Sequence, residues 1–354
     1  MLVAYVSGHG FGHATRTGLV LRAVRERAPD LPLTIVTSAP ESLFRAAVPG
    51  PFTYRRLECD VGLAQKDALV IDEVETARRF ALFASRWDET LDGEVSFLRA
   101  AGARVVLGDI PPLAFASAQA ARLPGVGLAN FSWDWIYAHA AGRAPELRAA
   151  AEHCALAYAK ATLLLRLPFA GDLGVFPHIE DVPLVARRPR VPQAEARWRL
   201  GLDKRPAVLL SFGGIGLPGL RPAVLAPLRD FQFLLPHSVD GPRLLELGLG
   251  YEDVVGAADV VVTKPGYGIV TDAIGARTRL VYTDRGDFPE YPILVDEMKR
   301  YLPTAYVTND EVREGRLAGA LAQVLAAPFP PVPDLSGAAR AADRILGVLN
   351  ATGR

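Results

Sequence analysis

The stretch that decides the fold is Val3 to Arg16, VAYVSGHGFGHATR, an apolar run that breaks into glycines and histidines before a helical pattern begins. A buried strand, a glycine-rich turn and a helix form the first unit of nucleotide-binding α/β domains, in which amides at the start of the helix face a ligand. The glycines fall as GxGxG, which differs from the dinucleotide fingerprint GxGxxG. His9 and His13 are the groups of this turn that can move a proton near neutral pH. The turn therefore predicts either a site or a helix start that the histidines merely cap.

Length and composition limit the classes of protein to consider. A chain of 354 residues favours two domains, and 39 basic residues interspersed with 39 acidic ones give no basic face for nucleic acid and no polybasic membrane anchor. The only two cysteines, Cys59 and Cys154, lack metal-ligand spacing, so we expect neither a zinc site nor a disulfide framework, and we expect a cytoplasmic protein. We expect no signal peptide and no integral membrane segment, while peripheral membrane contact stays open.

Apolar strands alternate with helical patterns along the whole chain, which predicts an α/β fold with parallel sheets covered on both faces. After a stretch rich in proline and arginine, a strand at Ala207 to Phe212 and a second glycine-rich turn restart the pattern. We therefore expect an N-terminal acceptor-binding domain (1–187), a linker (188–205), a C-terminal nucleotide-sugar domain (206–335) and a final helix (336–354) that packs back on the first domain. A ligand cleft is expected between the strand ends of the two Rossmann-like, doubly wound domains.

The densest motif of the second half is Tyr251 to Pro292. A buried strand, Val260 to Thr263, leads into a helix start whose free amides and positive dipole end suit a diphosphate. Asp272 lies where it can accept hydrogen bonds from ribose hydroxyls, and a polar loop follows the next strand. The predicted donor-binding residues of this motif are Lys264, Gly266, Tyr267, Gly268, Asp272, Arg285 and Glu290. No Asp-x-Asp pair is present to hold a divalent ion, so we expect neither a metal nor a cofactor.

This order of elements resembles the C-terminal half of GT-B glycosyltransferases, particularly the enzyme that adds N-acetylglucosamine to the lipid-linked peptidoglycan precursor. The resemblance implies that the loop after Ser211, with Gly213 and Gly214, meets the donor diphosphate and that Asp272 binds ribose. The family usually has Ser or Cys before its helix-start glycine, where this chain has Lys264 and Pro265, and it has paired glutamines where this chain has Pro289, Glu290 and Tyr291. The identity of the donor sugar is therefore left open.

Three motifs of the first half resemble a further group. GHGFGHATR, DIPPLAFASA from Asp109 and NFSWDWIYA from Asn130 are similar to the glycosyltransferase-like N-terminal region of plant L-arabinokinases and of stand-alone bacterial relatives. One helix after residue 335 is too short for a sugar-kinase domain, so the resemblance implies no phosphorylation of arabinose. Fold analogy alone does not fix the substrate.

The first-half site follows from strand order, because Asp109 ends a strand at the same sheet edge as the histidines. We expect His13 to be the catalytic base, with Asp109 or Asp134 orienting it or binding acceptor hydroxyls. The aromatic stretch after Asn130 is interpreted either as a platform for a sugar or lipid or as a packed loop. The predicted acceptor-binding residues are His9, Gly10, Phe11, Trp133 and Trp135.

The predicted activity is transfer of a sugar from a nucleotide diphosphate sugar, expected to be a UDP-sugar, to a small-molecule or lipid-linked acceptor, with inversion. A nucleotide-sugar 2-epimerase is the alternative, since that enzyme shares the architecture and needs carboxylates around the sugar ring. A sugar-nucleotide sensor without catalysis is the third interpretation. Donor sugar, acceptor, stereochemistry and oligomeric state are left open by the sequence.

Overall fold

The computed structural model describes residues 1–66, 70–213, 217, 219–236 and 239–352. The chain forms two compact units. The first comprises Met1–Ala64, Ile71–Val185 and Asp334–Arg354, and the second comprises Gln65–Val70 and Ala186–Pro333. Residues 188–205, expected to be a linker, therefore belong to the second unit.

The strands of the described residues are Leu2–Val6 (β1), Leu33–Thr37 (β2), Thr53–Arg56 (β3), Val105–Asp109 (β4), Gly125–Ala129 (β5), Leu163–Arg166 (β6), Ile179–Asp181 (β7), Ala207–Ser211 (β8), Gln232–Leu234 (β9), Val260–Thr263 (β10), Arg279–Tyr282 (β11) and Thr304–Tyr306 (β12). The α-helices are Phe11–Arg27 (α1), Glu41–Ala47 (α2), Glu73–Ala84 (α3), Trp87–Ala100 (α4), Pro112–Ala120 (α5), Trp133–Ala140 (α6), Leu147–Tyr158 (α7), Gln193–Arg199 (α8), Gly241–Glu246 (α9), Tyr251–Ala257 (α10), Tyr267–Ala276 (α11), Glu290–Glu297 (α12), Asn309–Arg313 (α13), Ala318–Ala326 (α14) and Gly337–Ala351 (α15). None of them is long and apolar enough to cross a lipid bilayer.

The first unit contains a seven-stranded parallel sheet in the order β3-β2-β1-β4-β5-β6-β7. Every residue of β1, β2, β4 and β5 is buried, as expected for strands covered by helices on both faces. The strand order reverses between β1 and β4, where Val6 pairs with Asp109. Crevices at such a switch point are the usual ligand sites of open α/β sheets.

The second unit contains a five-stranded parallel sheet in the order β12-β11-β10-β8-β9. Its apolar core fills both faces of the central strands, with side chains such as Leu210 and Val262 on one face and Leu209 and Val261 on the other. Here the order reverses between β8 and β10, where Ser211 pairs with Thr263. The loops after these two strands therefore lie together at the carboxyl edge of the sheet.

Some local predictions need correction. The apolar spacing of Leu19, Val20, Ala23 and Val24 predicts a helix from Thr17, but α1 begins already at Phe11, because the glycine turn ends at Gly10, whose φ of 75° suits only glycine. The sequence over 73–101 reads as one long helical pattern, but it forms two helices, and Trp87 at the start of the second has its ring centroid 4.2 Å from that of His153. The final helix, α15, packs against α1 in the first unit, where Arg27 pairs with Asp343.

Candidate active site

The centre of the first unit's site is a contact between His13 and Asp109. Asp109 ends β4 and His13 lies in the first turn of α1, so the loop after β1 brings both to the switch point of the sheet. The Nδ1 atom of His13 lies 2.8 Å from Oδ1 of Asp109. An ionised carboxylate can only accept, so in the neutral imidazole this contact places the hydrogen on Nδ1 and the lone pair on Nε2. Nη2 of Arg16 also lies 3.1 Å from the same Nδ1. Nε2 makes no hydrogen bond to any described residue, and the side chain of His13 is 7% exposed.

Two further side chains hold Asp109, which is fully buried. Arg16 donates to it twice, from Nε to Oδ2 at 2.8 Å and from Nη2 to Oδ1 at 2.5 Å, and Thr17 donates to Oδ2 at 2.5 Å. Arg16 also donates to the side-chain oxygen of Asn130 at 2.6 Å. Burial by itself raises the pKa of Asp109, but the positive charge of Arg16, the interaction with His13 and these hydrogen bonds hold it well below its usual range. Asp109 is therefore a fixed anion.

A second buried carboxylate, Asp60, lies behind the histidines. Its Oδ2 accepts a hydrogen bond from Nε1 of Trp133 at 2.8 Å. Burial raises the pKa of Asp60. Part of this rise is offset by hydrogen bonds from Ser7, Trp133 and the Gly8 amide, and by the electrostatic interaction with His13. Asp60 thus ties the glycine turn to the indole that supports the histidine rings.

The indole of Trp133 packs against both histidines of the turn. Its ring lies edge-on to His9 with 5.3 Å between centroids, and 6.4 Å from the ring of His13. Trp133 is fully buried and therefore has no solvent-exposed face for an acceptor. The sequence left open whether the aromatic stretch after Asn130 is a platform for an acceptor or is packed inside the protein. Trp133 is packed inside, because the chain here forms α6, a helix whose inner residues point into the core.

His9 is held from a second side by the chain at Gly62. Its Nδ1 accepts from the backbone NH of Leu63 at 3.3 Å, and a Cβ on Gly62 would lie 2.5 Å from that Nδ1. Gly62 has a φ of 65°, a second reason for glycine at this position. The orientation of His9 is therefore fixed by backbone as well as by Trp133.

The surface around the dyad is formed by the start of α1. Gly10 is exposed, and the side chain of Phe11 is 59% exposed. Gly10 is the N-cap of this 17-residue helix and, as a glycine, has no side chain to cap its first amides. Both of these predicted acceptor residues are therefore accessible from solvent.

Asp134 and Trp135 lie apart from the dyad, and in the described part of the chain neither forms a hydrogen bond or ring contact with His13 or Asp109. Burial raises the pKa of Asp134, and the neighbouring charge of Asp172 adds to the shift. The Oδ1 atom of Asp134 is buried and has no hydrogen-bond partner among the described residues, which is costly for a charged group. Asp109, not Asp134, is the acid that orients His13.

The second unit's site is the start of α11. Gly266 is its N-cap and, as a glycine, has no side chain to cap the amides of the first turn. A Cβ on Gly266 would lie 3.8 Å from Nη1 of Arg285, so a guanidinium lies beside these amides. Arg285 is fixed there by Glu290, whose Oε2 accepts from Nη1 at 2.6 Å. Lys264, half-buried, precedes this helix by two residues. Amides, a helix dipole and a guanidinium together suit an anion.

Asp272, one turn further along α11, is paired with a residue that sequence reasoning did not single out. Both of its oxygens accept from Arg187, with Nε 3.0 Å from Oδ1 and Nη2 2.5 Å from Oδ2. Arg187 also donates to Glu252 at 3.2 Å, and its guanidinium lies 5.9 Å from the ring centre of Tyr251. Burial lowers the pKa of Arg187, but the charge of Asp272, the hydrogen bond to it and the charge of Glu252 together raise the pKa overall.

The loop after β8 provides the remaining predicted donor residues. Ser211 Oγ and the Tyr251 hydroxyl are 2.6 Å apart, which links β8 to the start of α10. Gly213 has a φ of 74°, a conformation that favours glycine. Gly214 lies outside the described residues.

Sequence reasoning missed Arg16, Asp60 and Arg187. Arginines on a helix and in a proline-rich segment look solvated, and Asp60 follows β3, which is two strands away from β1 in the sheet. The available signal for Asp60 is only its position after a strand. No group of three or more His, Cys, Asp or Glu side chains within the described ranges is placed to hold a metal ion.

Comparisons with known proteins agree on the architecture. No family model matches the chain. Over 99% of its length, the chain superposes on 94% of a UDP-glucosyltransferase from Polygonum tinctorium capable of glucosylating indoxyl, with a TM-score of 0.60 and 13% sequence identity. The chain has the GT-B fold. This confirms the fold class predicted from the sequence.

Two other solved structures share the GT-B fold with this chain. A UGT transferase from Siraitia grosvenorii in complex with UDP matches over the full length of both chains, with a TM-score of 0.58 and 11% identity. A putative UDP-N-acetylglucosamine 2-epimerase from Listeria monocytogenes matches over all of this chain and 96% of its own, with a TM-score of 0.58 and 13% identity.

One curated protein is similar in sequence. The L-arabinokinase of Arabidopsis thaliana is 31% identical over 312 residues, which are 84% of this chain and 29% of that protein. The chain therefore spans less than a third of the length of this curated relative. The resemblance to the peptidoglycan-precursor transferase in particular stays a prediction from the sequence.

Proposed function

We propose that this protein is a glycosyltransferase that moves a sugar from a UDP-sugar to an acceptor hydroxyl. The observation that carries the proposal is the His13–Asp109 pair, with Nδ1 of the imidazole on a fixed anion and Nε2 left for a substrate. The UDP-glycosyltransferases among the structures of the same fold support this reading. We assign acceptor binding to the first unit and donor binding to the second.

In the proposed reaction Nε2 of His13 removes the proton from the acceptor hydroxyl. The acceptor oxygen then forms a bond to the anomeric carbon, while the bond between that carbon and the diphosphate oxygen breaks. Asp109 stabilises the imidazolium that forms and keeps the ring oriented. A single displacement of this kind inverts the anomeric centre.

The leaving UDP takes up negative charge, which the start of α11 and Arg285 are suited to bind. We propose that these groups and Lys264 hold the diphosphate without a divalent ion, since the sequence has no Asp-x-Asp pair. Cys59 and Cys154 are free and buried, which fits a reducing compartment such as the cytosol.

The test measures release of UDP from a panel of UDP-sugars, supplied with sugar, phenol and lipid-linked alcohol acceptors. A general base accelerates the chemical step by about 10²–10⁴-fold, so His13→Ala should lower the rate of UDP release by that factor. His178→Ala is the matched control, because His178 is an exposed histidine of the same unit outside the site. Equal rates for His13→Ala and wild type would refute the assignment of the base.

A UDP-sugar 2-epimerase is the second candidate, favoured by the Listeria neighbour and by the buried Glu290 beside the anion site. An epimerase eliminates and re-adds the nucleotide, so it changes the sugar without any acceptor. Product analysis of a reaction without acceptor separates the two: an epimerised UDP-sugar supports the epimerase, and its absence alongside acceptor-dependent UDP release supports the transferase.

A further inference from the structure

The side chain of Arg187 covers Asp272, the acid that the sequence predicts to bind the donor ribose. The guanidinium binds both oxygens of Asp272, with the Nε–Oδ1 distance at 3.0 Å. The side chain of Asp272 is only 5% exposed, whereas that of Arg187 is 23% exposed. A ligand approaching from solvent therefore meets Arg187 before it reaches the carboxylate.

The backbone of Arg187 is held in place by the two helices it lies on. A Cβ on Gly275 of α11 would lie 2.0 Å from the carbonyl oxygen of Arg187, and a Cβ on Gly256 of α10 would lie 2.5 Å from the ring of Pro189. Further along, the backbone NH and the guanidinium of Arg190 both donate to Asp253. Movement at Arg187 is thus restricted to its side chain.

A second set of partners is available to that side chain without Asp272. Its Nη1 donates to Glu252 at 3.2 Å, and the guanidinium faces the ring of Tyr251. Cation–π contact and a carboxylate partner are both favourable environments for a guanidinium. Arg187 can therefore leave Asp272 and still keep a charged partner.

Ribose hydroxyls and the guanidinium compete for the same oxygens. Arginine binds a carboxylate through two parallel N–H···O bonds, and a ribose diol binds one through two O–H···O bonds. We propose that Arg187 is an internal competitor of the donor ribose: binding of a uridine nucleotide exchanges the two bonds from Arg187 to Asp272 for two bonds from the ribose 2′ and 3′ hydroxyls. This inference rests on the proposed function, and it makes Arg187 an affinity-determining residue of the donor site.

The experiment is a calorimetric titration of wild type, Arg187→Met and Arg187→Lys with UDP and with its 2′,3′-dideoxy analogue. Removing the competitor should raise the affinity for UDP by about tenfold and leave the affinity for the dideoxy analogue within about twofold. Arg187→Lys keeps a cation but loses the planar fork, so its gain should be smaller. Arg190→Met is the matched control, because Arg190 belongs to the same segment and does not bind Asp272.

A second readout avoids reliance on one variant. In wild type the Nε–H of Arg187 is hydrogen-bonded to Asp272, so its NMR signal should exchange slowly with water and should exchange faster when UDP is added. Lower UDP affinity in Arg187→Met, or an equal gain for UDP and the dideoxy analogue, would overturn the inference while leaving the donor site in place. If wild type and all folded variants bind no uridine nucleotide, the proposed function fails and the inference fails with it.

Discussion

Replacing Asp109 by asparagine tests whether the buried charge cluster is organised as described. The carboxylate is fully buried and accepts two hydrogen bonds from Arg16 and one from Thr17, besides its contact with His13. The variant leaves the guanidinium of Arg16 buried without its counter-ion. Breaking a buried ion pair from one side costs about 3–5 kcal/mol, which is a large part of a typical unfolding free energy of about 5–15 kcal/mol.

The assay is urea unfolding of wild type and Asp109→Asn at several pH values. The pKa of Asp109 is lowered in the folded state, so its stabilising contribution is fully present above the unfolded-state pKa of about 3.9. That contribution is lost as the pH falls below this value and towards the folded-state pKa. Wild type should therefore lose stability more steeply than Asp109→Asn below about pH 4.

The combined variant Arg16→Met with Asp109→Leu provides the control. Removing both charges of a buried pair is often nearly neutral, so the combined variant should cost less than Asp109→Asn alone. An Asp109→Asn cost below about 1 kcal/mol, or an unchanged acid limb, would refute the view that Arg16 depends on this carboxylate.

Two further predictions concern residues around the histidines. Because burial raises the pKa of Asp60, the free energy of unfolding of wild type should fall as the pH rises above about 4 and Asp60 ionises. Asp60→Asn keeps an oxygen for Trp133 and should not lose stability in this way in urea unfolding, and parallel pH profiles of the two proteins would contradict this. Gly62→Ala and Gly102→Ala each force alanine into a φ near 65°, at a cost of about 1–3 kcal/mol, but only at Gly62 does the new Cβ meet His9. Activity measured at matched folded fractions should therefore fall only for Gly62→Ala, and equal activities would show that the position of His9 is unimportant.

Much of the fold follows from local pattern. Short apolar runs such as Leu33 to Thr37 and Val260 to Thr263 predict buried strands, and the structure has strands at those positions. Parallel strands end at one edge of a sheet, so the sequence predicts that His13, which follows β1, lies near Asp109 at the end of β4. In the structure Val6 of β1 pairs with Asp109, and this register brings His13 and Asp109 into contact.

The parts that escape prediction depend on contacts between distant segments. The stretch with Trp133 looks the same in sequence whether its rings face solvent or core, and only the packing on Asp60 and the histidines decides. Arg187 lies in a segment whose prolines and arginines suggest a linker, yet ion pairs to α10 and α11 fix it. The glycines that leave room for this segment, Gly256 and Gly275, lie far from it in the sequence.

The most direct test of the central claim, a donor site for a UDP-sugar at the start of α11, is calorimetric titration with UDP. We expect UDP to bind wild type and Gly241→Trp, in which the new ring lies on an open surface, and not Gly266→Trp, in which it fills the space beside the helix amides and Arg285. His13→Ala should bind UDP as wild type does, since His13 lies in the other unit. Absence of UDP binding to wild type, or equal binding to Gly266→Trp, would contradict the account.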